Sequence, residues 1–334
     1  MKFFWVLLTV LLSASPFCRA VNSSPVEKQK IILDADLDSD VDDVGALAML
    51  LNMHNAGYID FIGLIVTSDD PYAPLCASSI NTFYNNPDIP IGFLKDQSSL
   101  TNHSKYTRAI ATEFTKSLLS WEDAENATLL YRKLLAKNDD ESVVIITIGH
   151  LTSLQKLLQS PPDEISDLTG KELVGKKVKT WVCMGGHFPH GKEANFYRPD
   201  PLSTVYCVNH WKKELVFYGW EAGNQVITGG DWLKAELNPS HPVYRGYELY
   251  NNFAGRPSWD QLAILHLTQE SGKFFTLTAG TCNVLPDGSN TWDDDANGRH
   301  RYMGLNPEVE VRMISRFVDH IIAGRGKLLK TGTK

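Results

Sequence analysis

Cysteine is scarce, with five in 334 residues, and Cys18 sits in a leader-like opening that leaves Cys76, Cys183, Cys207 and Cys282. Their wide spacing fits neither a zinc site nor a dense disulfide framework, so neither organises this fold. Cys183 lies in an apolar run and reads as a buried thiol; the sequence fixes no disulfide pairing. Long apolar runs are also lacking. Phe3–Leu12 is too short for a bilayer, which takes about 20 residues. It follows Lys2 and precedes small residues ending at Arg19-Ala20, the layout of a signal peptide cut after Ala20. We therefore read 1–20 as a signal peptide, 21–334 as one domain, and the destination as secreted or the secretory lumen. An excess of positive charge is absent too. The net charge of −7 becomes −9 once Lys2 and Arg19 leave, because no acid leaves with them. That balance argues against nucleic acid or an anionic membrane as partner. Asn-x-Ser/Thr sequons at Asn22, Asn102 and Asn126 are compatible with export and glycosylation but support them weakly. Repeats and long linkers are missing as well.

What is present is an alternation. Strand-like apolar runs at Lys30–Asp34, Phe61–Thr67, Val143–Ile148, Val178–Met184 and Leu215–Tyr218 are separated by helix-like segments such as Val44–His54 and Leu151–Leu158. This predicts an α/β fold, a single domain with a mostly parallel, Rossmann-like central sheet flanked by helices. In such sheets ligands bind beyond the carboxyl ends of the strands.

The first mature strand runs into Asp34, Asp36, Asp38, Asp40, Asp42 and Asp43, six carboxylates in ten residues. Held close together they repel, which favours a bound cation. Ligation by oxygens alone suits a hard ion, and calcium tolerates loop geometry better than magnesium does. The start of the following helix helps Asp42 and Asp43 hold their charge. The plainer alternative is a solvated turn with Asp42 as a helix N-cap. An EF-hand fails, because loops beginning at Asp34, Asp36 or Asp38 lack the required Gly and Glu. A haloacid dehalogenase-type phosphatase, with Asp34 as nucleophile, is an alternative on this motif alone.

Beyond this loop the chain resembles the inosine–uridine-preferring nucleoside hydrolases along nearly its whole mature length. Phe61–Thr67 and Ile89-Pro90-Ile91-Gly92 are similar to that family's second and third strands. Val144–Thr152 resembles its strand-turn-helix segment. Met184-Gly185-Gly186, Glu193-Ala194-Asn195 and Asp200-Pro201 resemble its ribose-binding stretch, and Ser258-Trp259-Asp260 falls at its last metal ligand.

The resemblance implies calcium-dependent hydrolysis of the N-glycosidic bond of ribonucleosides, releasing ribose and base. It implies metal ligation by Asp36, Asp43, Asp260 and the Ile148 carbonyl, with Asp36 also the general base. Asp42, Asn195 and Asp260 would bind ribose hydroxyls, Glu193 the 5′-hydroxyl, and Asp42 joins Asp36 in the catalytic set. Asp34 would support the ligands. The acidic loop is longer than the commonest family form, so register is open by two residues and Asp38 is the alternative to Asp36.

Trp259 departs from the family pattern. Many relatives carry there a His suited to protonating the leaving base; an indole can stack on the base but not protonate it. His187, His190 and His150 are candidates of low weight, and Asp69-Asp70 stand where the family often has Asn. This departure motivates a second reading, a catalytically silent protein that binds nucleoside or ribose with calcium. The preferred base, and whether the chain acts alone or as a homo-oligomer, are left open.

Overall fold

The computed structural model describes Met1 and residues 28–95 and 99–325. Residues 2–20 of the expected signal peptide, with Cys18, and the Asn22 sequon lie outside the described residues. The described strands are β1 (Gln29–Ala35), β2 (Ile59–Val66), β3 (Ile91–Phe93), β4 (Glu125–Asn126), β5 (Val143–Thr147), β6 (Val178–Met184), β7 (His190–Lys192), β8 (Glu214–Tyr218), β9 (Ile227–Thr228), β10 (Arg256–Pro257), β11 (Phe275–Val284), β12 (Ser289–Asp294) and β13 (His300–Leu305). Eleven of them form one sheet in the order β4-β3-β2-β1-β5-β6-β8-β13-β11-β12-β7, while β9 and β10 pair separately. Pairing is parallel from β4 through β13 and antiparallel beyond it. The mostly parallel sheet agrees with the expectation. The antiparallel extension β11-β12-β7 was not foreseen, because its strands carry exposed threonines and acids rather than a continuous apolar run.

Both faces of the sheet are covered, which explains why its strands read as unbroken apolar runs. Ile31 and Leu33 of β1 enter one core and Ile32 the other, all fully buried. From β1 the chain steps to β2, β3 and β4 on one side, whereas β5, β6 and β8 lie on the other. The crevice beyond the β1 and β5 carboxyl ends is therefore a topological switch point, where open α/β sheets bind ligands.

Two helices close over that crevice. Asp42–Asn55 follows β1, and Trp259–Leu265 packs directly against it. Gly45 sets how closely their surroundings fit, since a Cβ there would lie 2.5 Å from the Tyr247 hydroxyl and 2.6 Å from Gln261 Nε2. Farther off, buried Arg132 makes a forked pair with Asp163, 2.7 Å at both oxygens, and fastens the loop at 160–168.

Cys76, Cys183, Cys207 and Cys282 are all buried and unpaired, as expected for Cys183. No described helix is long and apolar enough to cross a membrane. Both described sequons have working side chains. Asn126 Oδ1 caps the helix Ala127–Lys137, accepting from Thr128 N at 3.0 Å, and Asn102 Nδ2 donates to Asp70 at 2.8 Å. A glycan on Asn102 Nδ2 would remove one of the two N–H donors that serve Asp70 and Thr107, whereas the Asn126 cap is made by Oδ1, which a glycan on Nδ2 leaves in place.

The packing at Gly45 yields a stability prediction. Gly45→Ala gains helix propensity but forces Tyr247 and Gln261 aside, and overpacking of this kind costs about 1–3 kcal/mol. Urea denaturation should show a lower midpoint; an unchanged or higher midpoint would refute this account of the contact.

Candidate active site

The acidic loop is shaped by a left-handed turn at Leu37, φ 52°, a conformation uncommon for a residue with a side chain. Leu37 N donates to Asp43 Oδ1 at 3.2 Å, which folds the loop back on the helix it leads into. The carboxylates are thereby sorted. Asp34 stays beneath the loop, where Tyr131 donates to it at 2.7 Å and Thr67 donates to its other oxygen. Asp38 turns aside, accepting from Ser68 and lying 3.5 Å from His103 Nε2. Asp40 receives Tyr250 at 2.7 Å and Arg256 at 2.6 Å.

Asp42 and Asp43 are the first residues of the helix; its N-cap is Val41, so the alternative of Asp42 as N-cap does not hold. Asp42 instead accepts from Asp260 N at 3.3 Å, at the start of the Trp259–Leu265 helix. Two helix N-termini thus converge, and Asp42, Asp43 and Asp260 present ligand oxygens all within 4.8 Å of one another, each residue buried. Asp36 stands beside them and shares a hydrogen bond with Asp43.

Burial first, and mutual repulsion second, push Asp36, Asp43 and Asp260 well above the usual carboxylate range. The same causes raise Asp42 to about 7. Carboxylates that resist ionisation together are a donor set that fits a divalent cation, which would remove the repulsion.

A chamber of about 190 Å³ opens over this group, lined also by Ile148, Met184, Glu193 and Asn195. Glu193 is buried and accepts from Gly186 N at 3.1 Å and Asn195 N at 2.9 Å, while burial raises its carboxyl to about 7. Asn195 Nδ2 donates to the Ile148 carbonyl at 3.1 Å. Trp259 walls the other side, its Nε1 donating to the Trp220 carbonyl at 3.0 Å. Asp36, Asp42, Asp43, Ile148, Glu193, Asn195, Trp259 and Asp260 therefore border one chamber, whereas Asp34, Asp38, Asp69, Asp70 and the three histidines singled out in the sequence do not.

A larger cavity of about 660 Å³ adjoins it through Asp36, Ser39, Ala194 and Asn195. Asp38, Asp69, His103 and His150 line this second space. His150 is bonded to Thr152 at 3.0 Å, and burial lowers it to about 4, which keeps it neutral. His187 and His190 line neither cavity. Asp70 is enclosed, accepting from Tyr72 N, Asn102 and Thr107. Asp34, the nucleophile of the phosphatase alternative, also borders neither cavity, which removes that alternative's chemistry. The sequence reading missed His103 and Arg256; both come from loops or short strands with no local motif.

The family of inosine-uridine preferring nucleoside hydrolases matches residues 31–315. Comparison with curated proteins gives no match. Among solved structures, the plant nucleoside hydrolase PpNRh1 is similar at 18% identity and TM-score 0.63, covering 89% of this chain and 99% of that one. The inosine-uridine preferring nucleoside hydrolase of Bacillus anthracis gives 18% and 0.64 with the same coverages. The type III effector XopQ, solved with adenosine diphosphate ribose, gives 13% and 0.66, covering 90% and 95%. At these identities the structures speak for the fold. The family match over most of the sequence goes further: this chain belongs to the inosine-uridine preferring nucleoside hydrolases, hydrolases of N-glycosyl compounds whose substrates are small nucleosides and which generally use a divalent metal.

Proposed function

We propose that this chain is a calcium-dependent ribonucleoside hydrolase that releases ribose and free base, exported after its leader is cut behind Ala20. The observation that carries the reading is the convergence of Asp42, Asp43 and Asp260 from two helix starts, with Asp36 and the Ile148 carbonyl at the same chamber. Asp36, Asp43, Asp260 and the Ile148 carbonyl are the ligands we assign. Bound there, calcium would supply a hard positive centre that acidifies water. Asp36, which borders the chamber, would take the proton of the attacking water. Asp42, Asn195 and Asp260 hold the ribose hydroxyls, and Glu193 accepts from the 5′-hydroxyl. Fixing the sugar in this way replaces a bimolecular encounter by an oriented one.

Purified mature protein is expected to release base and ribose from inosine or uridine, and chelation should abolish this. A broad nucleoside panel giving no product, with calcium-dependent binding in calorimetry, would instead favour the silent binding protein that Trp259 suggests. Site-bound ribose hydroxyls also predict discrimination: a 2′-deoxynucleoside should be cut at least about 100-fold less efficiently, since polar groups of the site would be left unpaired. Comparable kcat/KM for both sugars would contradict the assigned roles.

Cation binding should be visible without turnover. Calcium at about 100 times its dissociation constant stabilises by about 2.7 kcal/mol. For a chain of this size that raises Tm by about 4 °C. Scanning calorimetry of Asp260→Asn should show most of that shift lost; a full shift would place the ion elsewhere.

A further inference from the structure

Outside the smaller chamber, Asp38, Asp69 and His103 converge on the larger cavity of about 660 Å³. Asp38 comes from the acidic loop, Asp69 from the segment after β2, and His103 from the loop after β3. One oxygen of each acid and one ring nitrogen of His103 all lie within 4.8 Å of one another. His103 Nε2 stands 3.5 Å from Asp38 Oδ1, and its Nδ1 stands 3.9 Å from Asp69 Oδ1. Hydrogen-bonded ion pairs close to about 2.7–2.9 Å, so these contacts are too open for one. Two donors about 2.1 Å from a shared ion in tetrahedral array stand about 3.4 Å apart, which is the spacing of Asp38 and His103.

Asp38 is the informative member. Its side chain is only 9% exposed and Ser68 donates to Oδ2, yet Oδ1 accepts no hydrogen bond from any described residue. An acceptor left in this way costs free energy until a partner reaches it. Because Asp38 borders the cavity, an ion has access to it. The frame around the three side chains is already built. Thr101 N donates to the Asp69 carbonyl at 2.9 Å, while Asn102 and Thr107 donate to the Asp70 carboxylate at 2.8 and 2.6 Å. Ser68 Oγ, the donor to Asp38, also accepts from Asp70 N at 3.0 Å. These bonds hold the His103 loop and the acidic loop against one short segment, 68–70.

We propose that Asp38, Asp69 and His103 bind a second divalent ion, of the zinc class, separate from the cation of the aspartate chamber. The nitrogen donor decides the class: imidazole with two carboxylates suits zinc and its transition-metal neighbours, whereas the all-oxygen set of Asp36, Asp43 and Asp260 suits a hard ion. Three protein donors leave the fourth tetrahedral position towards the cavity, where water or an anionic group of a bound molecule completes it. The site lies where this chain departs from its family, in an acidic loop longer than the commonest form and at Asp69, where Asn is frequent. An ion there ties the acidic loop to the loop after β3, two residues along the chain from Asp36.

The test loads the mature protein with excess calcium, so that the aspartate chamber is occupied, and titrates zinc in calorimetry and cobalt in visible absorption. One zinc per chain is expected, and cobalt should give the intense visible band of a tetrahedral site. His103→Gln should weaken zinc binding at least about 100-fold, since losing even an outer partner of a ligand can cost that much. His103 is half-exposed, and an unchanged Tm of this variant without zinc verifies that it folds. Asp260→Asn should leave the zinc affinity as it is. No zinc taken up by the calcium-loaded protein, or undiminished binding in folded His103→Gln, would overturn the proposal. Zinc lost in Asp260→Asn would place that ion in the aspartate chamber and overturn it equally.

Discussion

Buried like charges govern this molecule. Asp36, Asp42, Asp43 and Asp260 meet at the floor of the smaller chamber, where burial weakens solvation and their repulsion must be opposed by more than solvent. Part of the opposition is built from backbone. The starts of the Asp42–Asn55 and Trp259–Leu265 helices aim amide hydrogens at the cluster, and Asp42 bonds to one of them directly. The geometry survives only if those two helices remain in close contact, which is why the space beside Gly45 is filled by Tyr247 and Gln261. The remainder falls to a cation, for which the four acids form a hard-oxygen donor set.

Neighbouring acids are handled differently, and the contrast defines the site. Burial holds the Asp34 carboxyl up at about 7, against the opposing pull of the Thr67 and Tyr131 hydroxyls that donate to it below the loop. Asp40 is paired with Arg256, and Asp38 faces His103. Of six acids in the loop, three are thus occupied by partners of their own, which leaves Asp36, Asp42 and Asp43 to join Asp260. That sorting depends on the turn at Leu37. No spacing rule foretells a left-handed leucine.

Much of the architecture was legible before the structure. Ile31–Leu33 and Val143–Ile146 read as doubly covered strands because parallel sheets bury both faces, and the carboxyl end of the first then pointed to the acidic loop; Asp36 and the Ile148 carbonyl as ligands came only with the family resemblance. The pairing of Asp260 with Asp42, 218 positions apart, was legible only through likeness to a family, since nothing local around Ser258-Trp259-Asp260 announces its neighbours. Arg256 and His103 were illegible for the same reason. A lone cation in a loop gives no period, and its partner Asp40 was hidden among five similar acids. The antiparallel extension escaped because β11 and β12 are half exposed and lack the apolar signature that marked β1 and β5.

The two walls of the smaller chamber rest on very unequal foundations. One rises from β1 and β5 in the middle of the sheet, locked between neighbours on either side. The other, Glu193 and Asn195, follows the three-residue strand β7, which hangs on the outermost edge and is hydrogen-bonded to β12 alone. What ties the edge to the middle is side-chain bonding across the chamber: Asn195 Nδ2 donates to the Ile148 carbonyl at 3.1 Å and Glu193 accepts from Gly186 N at 3.1 Å.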